Sequence, residues 1–133
     1  MAETLTGGCL CGAVRFTVTG PVGPPFACHC RDCQRQSGNY WAAITAPRQQ
    51  VEITGEVGWI SISPLARRGF CPGCGGFLFW EPADGASIDI GFGNLDDPGG
   101  MRLAAQLWCD SARLPLPDDA APRYPKGWPG AEP

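Results

Sequence analysis

The chain has 133 residues, a net charge of −3 and only 17% charged residues. Its length suits one domain, and its low charge excludes the self-repelling composition of a disordered chain. Leu, Ile, Val and Phe together number 26. A core that small generally needs a staple, either disulfides or a structural metal.

Nineteen glycines and 14 prolines punctuate the chain. Between them, short runs rich in β-branched and aromatic residues predict strands at Ala13–Thr19, Trp41–Ala46, Val51–Thr54, Trp59–Ser63, Gly76–Trp80, Ile88–Phe92 and Arg102–Trp108. One short helix is predicted at Asp32–Gly38, closed by Gly38. The expected architecture is an all-β single domain with irregular loops. A domain over residues 1–111 is followed by a Pro-rich tail, 112–133, with six prolines. The tail either lies on the domain through Tyr124 and Trp128 or hangs loose.

No apolar run is long enough to span a bilayer. The N-terminal Met1-Ala2-Glu3-Thr4 lacks the basic and apolar regions of a secretory signal, which predicts a cytoplasmic protein with reduced thiols. A pI near 5.0 without a basic run argues against nucleic-acid binding. Residues 1–70 carry six basic and four acidic groups, and residues 71–133 four and nine. The front half is therefore the better place for a small anion.

Seven of the eight cysteines fall into three clusters: Cys9-Leu10-Cys11, Cys28-His29-Cys30-Arg31-Asp32-Cys33 and Cys71-Pro72-Gly73-Cys74. The third has the spacing of a metal knuckle, whose glycines permit the turn that aims N–H groups at sulfur. Cys9 and Cys11, at i and i+2, share one side of an extended segment. Two pairs complete a closed site of four thiolates, Cys9, Cys11, Cys71 and Cys74, suited to Zn²⁺ or to iron.

Cys28, Cys30 and Cys33 supply three thiolates from six residues. Three protein ligands and one open position form the layout of a reactive zinc. His29 points away from the sulfurs on alternation and reads as a packed histidine. Cys109 reads as a small buried residue, with closure of the second site as the alternative. A c-type haem needs C-x-x-C-H, a nucleobase deaminase needs H-x-E, and a thioredoxin site needs a βαβ setting; none is present.

Three thiolates and Zn²⁺ sum to −1, which blunts the activation of water. Such a site suits capture of a thiol, whose sulfur can attack a small aldehyde. Arg31 and Arg35 are candidates to meet the thiol's carboxylates, and Gln34, Gln36, Ser37 and Asn39 to hydrogen-bond it. Asp32 is a candidate proton carrier. Trp41 and Phe70 are either pocket walls or core. Arg67 and Arg68 read as a solvated hairpin edge.

The segments GCLCGAVRF (8–16), CHCRDCQR (28–35) and FCPGCG (70–75) resemble the glutathione-dependent formaldehyde-activating enzyme family, which also includes centromere protein V. The resemblance spans roughly residues 6–108, with the order and spacing of all seven cysteines intact. It implies a β-tent fold with two zinc sites. Cys9, Cys11, Cys71 and Cys74 would hold the structural zinc. Cys28, Cys30 and Cys33 would hold a second, with glutathione sulfur nearby or as fourth ligand. It also implies a carbon–sulfur lyase activity joining formaldehyde to glutathione as S-hydroxymethylglutathione. Two other readings remain: a non-catalytic zinc module for a protein partner, and a redox or metal sensor built on Cys28, Cys30 and Cys33.

Overall fold

A computed structural model of the chain describes residues 3–130. The first two and last three residues, including the end of the Pro-rich tail, lie outside the described residues. The described residues form ten strands in two sheets and one α-helix. The all-β expectation is therefore met.

The small sheet has the order β1-β2-β5, from β1 (Thr4–Gly8), β2 (Arg15–Thr19) and β5 (Val51–Thr54). The large sheet has the order β10-β3-β4-β9-β8-β7-β6. Its strands are β3 (Phe26–Cys28), β4 (Trp41–Pro47), β6 (Gly58–Ser63), β7 (Ala66–Phe70), β8 (Phe77–Pro82), β9 (Ser87–Gly91) and β10 (Ala105–Leu107). All its pairs are antiparallel except β10 with β3.

Alternation in β2 turns Phe16 and Val18 inward. They pack with Ile44, Phe79, Ile88 and Ile90 of the large sheet. Phe16 meets Phe79 edge to face, with ring centroids 5.7 Å apart. This interface is the main core. A second apolar cluster gathers Phe26, Cys28, Cys33, Trp41 and Leu107 at the other end of the large sheet.

The helix α1 (Arg31–Ser37) begins one residue before the predicted start and stops at Gly38. Gly38 takes φ 90°, a left-handed C-terminal cap that costs glycine no Cβ clash. β1, β3 and β7 were not among the predicted strands. Arg68 also departs from the expected solvated edge. It lies in β7, between β6 and β8, and is only 8% exposed. Its guanidinium donates to Gln36 Oε1 at 2.8 Å and sits 3.8 Å from Asp32. Those partners on α1 make its burial tolerable.

The segment after β10 lies on the domain. Gln106 N–H donates to the Pro122 carbonyl and Tyr124 N–H to the Gln106 carbonyl, at 2.7 and 2.8 Å. Tyr124 and Trp128 pack against the second cluster, with Trp128 edge-on to Phe26.

Asp89 lies beside Thr45 across β4 and β9, on the face opposite Ile88 and Ile90. Burial pushes its carboxyl up to about 6, although Thr45 Oγ1 donates to it at 2.6 Å. In the unfolded chain it ionises near 3.8, so between these values the native state holds the extra proton. Stability from this group is therefore greatest below about pH 4 and declines as pH rises through about 6, by on the order of 2–3 kcal/mol. Denaturant unfolding across pH 4–7 should show this downward contribution in the wild type, relative to Asp89→Asn.

Candidate metal centres

The first centre is built by two hairpin connections from different sheets. Cys9 and Cys11 lie between β1 and β2, and Cys71 and Cys74 between β7 and β8. Each connection carries a glycine after its second cysteine. Gly12 and Gly75 have φ of 80° and 76°, a left-handed backbone that turns the chain around sulfur. Val14 N–H donates to Cys9 Sγ at 3.3 Å, and Gly75 N–H to the Cys71 carbonyl at 2.7 Å.

The four Sγ atoms lie within 4.8 Å of one another. Cys9 to Cys11 and Cys11 to Cys71 are both 3.7 Å. A tetrahedron with metal–sulfur bonds of about 2.3 Å has edges of about 3.8 Å. The group can therefore hold a tetrahedral metal ion. The N–H of Val14 draws the Cys9 thiol down to about 6. Cys11 is pushed up to about 11: the Ala13 N–H favours its thiolate, but the Cys9 and Cys71 sulfurs outweigh it. Four crowded sulfurs resist joint ionisation unless a cation is shared among them.

The second centre is local. Cys28 ends β3, Cys30 caps α1 and Cys33 lies in its first turn. Their Sγ atoms also lie within 4.8 Å of one another. Cys30 Sγ accepts from the Cys33 N–H at 3.4 Å. Hydrogen bonds from the Cys28 and Cys33 thiols pull Cys30 far down, while the Cys30 and Cys33 sulfurs and burial push Cys28 far up. Negative charge thus settles first on Cys30, the least buried of the three.

His29 belongs to neither sulfur group. Its Nε2 lies 2.6 Å from Gln106 Oε1, and Gln106 Nε2 donates to Asp119 at 3.0 Å. Its backbone N–H donates to the Leu107 carbonyl at 2.9 Å. Cys109 is outside the groups too, with its Sγ 3.4 Å from the Gln106 carbonyl. Among the described residues, no fourth Cys, His, Asp or Glu joins Cys28, Cys30 and Cys33.

A cleft of about 540 Å³ is lined in part by Gln36, Ser37, Tyr40, Trp41, Phe77 and Asn94, and none of the three cysteines is among its lining residues. Trp41 and Phe77, with ring centroids 4.5 Å apart, also pack in the cluster that contains Cys28 and Cys33. Trp41 is therefore both wall and core. Phe70 is not at the cleft; its ring lies against Gly58 in the β6–β7 hairpin.

Cys33, Gln36 and Ser37 stand at i, i+3 and i+4, one face of α1. Arg31, Gln34 and Arg35 have the same spacing on another face and line a separate cavity of about 290 Å³. Gln34 Nε2 is already engaged, donating to the His29 carbonyl at 2.6 Å and to the Ser111 carbonyl at 2.8 Å. Asp32 is exposed and faces Arg68. Arg68 is the site neighbour that sequence reasoning missed. It lies over Phe77, 6.0 Å from the ring centroid. A hydrogen bond from Cys28 favours the Cys33 thiolate, but the Cys30 sulfur and burial outweigh it and push the thiol up, and the Arg68 charge offsets part of that rise.

Residues 4–111 match the family described as glutathione-dependent formaldehyde-activating enzyme. The chain belongs to this family. No curated protein matches it. A crystal structure of a Rhodobacter sphaeroides protein is similar in fold, with a TM-score of 0.60 at 19% identity. The match covers 71% of this chain and 91% of that one. The family supports glutathione and formaldehyde as its small-molecule partners, and both sulfur groups could hold metal. Among the described residues, no helix is long and apolar enough to cross a membrane.

The two centres should respond differently to loss of one sulfur. Cys71→Ser should abolish the cooperative thermal transition, because its centre ties two sheets together. Cys30→Ser should keep that transition and lower the bound metal from two ions to one per chain, measured by elemental analysis of the purified proteins. A Cys30→Ser protein without a cooperative transition would refute the division into a structural and an open centre.

Proposed function

We propose that this chain is a cytoplasmic zinc enzyme that joins glutathione to formaldehyde, a carbon–sulfur lyase-type reaction yielding S-hydroxymethylglutathione. The observation that carries this reading is the three-sulfur group, with no fourth protein donor among the described residues, beside a cleft large enough for a tripeptide thiol. Cys9, Cys11, Cys71 and Cys74 would hold a structural zinc, and Cys28, Cys30 and Cys33 a second. Bound there, zinc would supply a Lewis-acidic position suited to a soft fourth sulfur.

The chemistry is an addition. A carbon–sulfur bond forms, the carbonyl π bond breaks, and the thiol proton ends on the new hydroxyl oxygen. Trp41 and Phe77 wall the cleft and pack in the same apolar cluster as Cys28 and Cys33. Gln36, Ser37 and Asn94 offer polar atoms to the peptide. The buried charge of Arg68 would offset part of the negative charge of three thiolates.

A second reading, a zinc module that docks a protein partner, is favoured by a separate observation. Ile62 and Leu65, 67% and 68% exposed, stand with Ile60 on the β6 edge and its turn. That patch is remote in sequence from Cys28, Cys30 and Cys33.

Calorimetric titration of glutathione into zinc-loaded protein separates the two. The enzyme reading expects saturable binding that Cys30→Ser abolishes, followed by faster adduct formation than in buffer alone. Absence of binding, with pairing of the β6 edge to a protein ligand, would replace it by the docking module.

A further inference from the structure

The chain has ten basic side chains. Five are paired with carboxylates: Arg15 with Asp96, Arg48 and Arg67 with Glu81, Arg68 with Asp32, and Lys126 with Asp110. Arg123 donates to the Pro117 carbonyl at 2.7 Å. Among the described residues, Arg31, Arg35, Arg102 and Arg113 make no such contact. Three of these four line one cavity, together with Asn39. Among the described residues, no acidic side chain lines it. The nearest carboxylates in sequence are spoken for: Asp32 by Arg68 and Asp110 by Lys126.

Local structure does not account for this gathering. Arg31 opens α1, where the helix dipole disfavours a cation, and Arg31 and Arg35 are like charges at i and i+4. Arg113 comes from the segment after β10 and is brought to the same hollow by the chain's return across α1, where Gln34 holds the Ser111 carbonyl. In a protein of net charge −3, three unpaired guanidiniums around one concavity make a local positive site.

We propose that this cavity binds a small dianionic oxyanion, received by the forks of Arg31, Arg35 and Arg113 with Asn39 as a neutral partner. Guanidinium geometry matches both phosphate and carboxylate pairs. The shared chemistry has two sources: a free phosphate or dicarboxylate, or the carboxylates of a peptide thiol. The site lies on a different face of α1 from Cys33 and the cleft, so it does not rest on the addition reaction proposed above.

The test is calorimetry on the zinc-loaded full chain at low ionic strength, with inorganic phosphate, succinate and S-methylglutathione as separate probes. The expected result is saturable binding of at least one probe that weakens about tenfold or more in Arg113→Gln and in Arg31→Gln, whose thermal transitions stay at the wild-type temperature. Phosphate or succinate binding that survives Cys30→Ser assigns a free anion. Binding of S-methylglutathione alone assigns the carboxylates of the peptide. Failure of all three probes to bind, or equal affinity in the arginine variants, overturns the proposal.

Discussion

The fold depends on a junction of four sulfurs between two loops 60 residues apart in the chain. The small sheet contributes Cys9 and Cys11, and the large sheet contributes Cys71 and Cys74. Cys9 and Cys71 are also members of the main apolar core, beside Val14, Phe79 and Leu78. The sheets also meet through that core, where Phe16 and Val18 pack on Ile44, Phe79, Ile88 and Ile90, and through the exposed pair of Arg15 with Asp96. Exposed ion pairs contribute little. Structural zinc sites bind with apparent free energies of about 10–16 kcal/mol, as large as the whole stability of a small domain. A metal ion held by the four sulfurs would tie two hairpins together and add to a core with few large apolar residues.

The second sulfur group obeys a different constraint. Its three sulfurs come from six consecutive residues, so a metal held there would close no long loop and join no sheets. What fixes it is the frame around it. β3 is held between β4 and β10, and Cys30 caps α1 with its own sulfur. His29, wedged between two ligands, is tied through Gln106 to Asp119. The segment after β10 thus supports the centre from behind while the cleft stays open in front. A group held by its surroundings can keep its shape whether or not a metal is bound.

The cysteine grouping was legible because metal ligation imposes spacing: i, i+2 on an extended segment and a Gly-rich knuckle each read locally. Val51–Thr54 and Trp41–Pro47 were legible through β-branched and aromatic runs. β1 was not, because Thr4–Gly8 ends in two glycines that carry no strand signal. β3 has three residues and exists by pairing in parallel with Ala105–Leu107, nearly 80 residues later. β7 hid behind Arg67 and Arg68, whose charges suggest solvent. Arg68 is buried only because Gln36 and Asp32 come from α1 to meet it. Glu81, likewise buried, is held by Arg48 and Arg67. Long-range polar partners leave no mark on local pattern. His29 illustrates both limits: alternation correctly turned it from the sulfurs, but nothing in sequence pointed to Gln106.

The short helix α1 divides the local electrostatics. Its inner face carries Cys33 and meets Arg68, a cation buried against the group where negative charge collects. That pairing is internal and consumes one arginine. Arg31 and Arg35 on the other face, joined by Arg113, then remain in excess, because the carboxylate of Asp32 is turned to Arg68. The arrangement separates soft and hard chemistry across a cylinder about 10 Å wide. The sulfur of Cys33 belongs to the face packed on the sheet, in the cluster that holds Trp41 and Phe77. Oxyanions belong to the outer face, where guanidiniums need no burial to act. A ligand carrying both a thiol and carboxylates could reach both faces only by passing an end of the helix. The two faces therefore amount to two binding problems solved by seven residues of backbone.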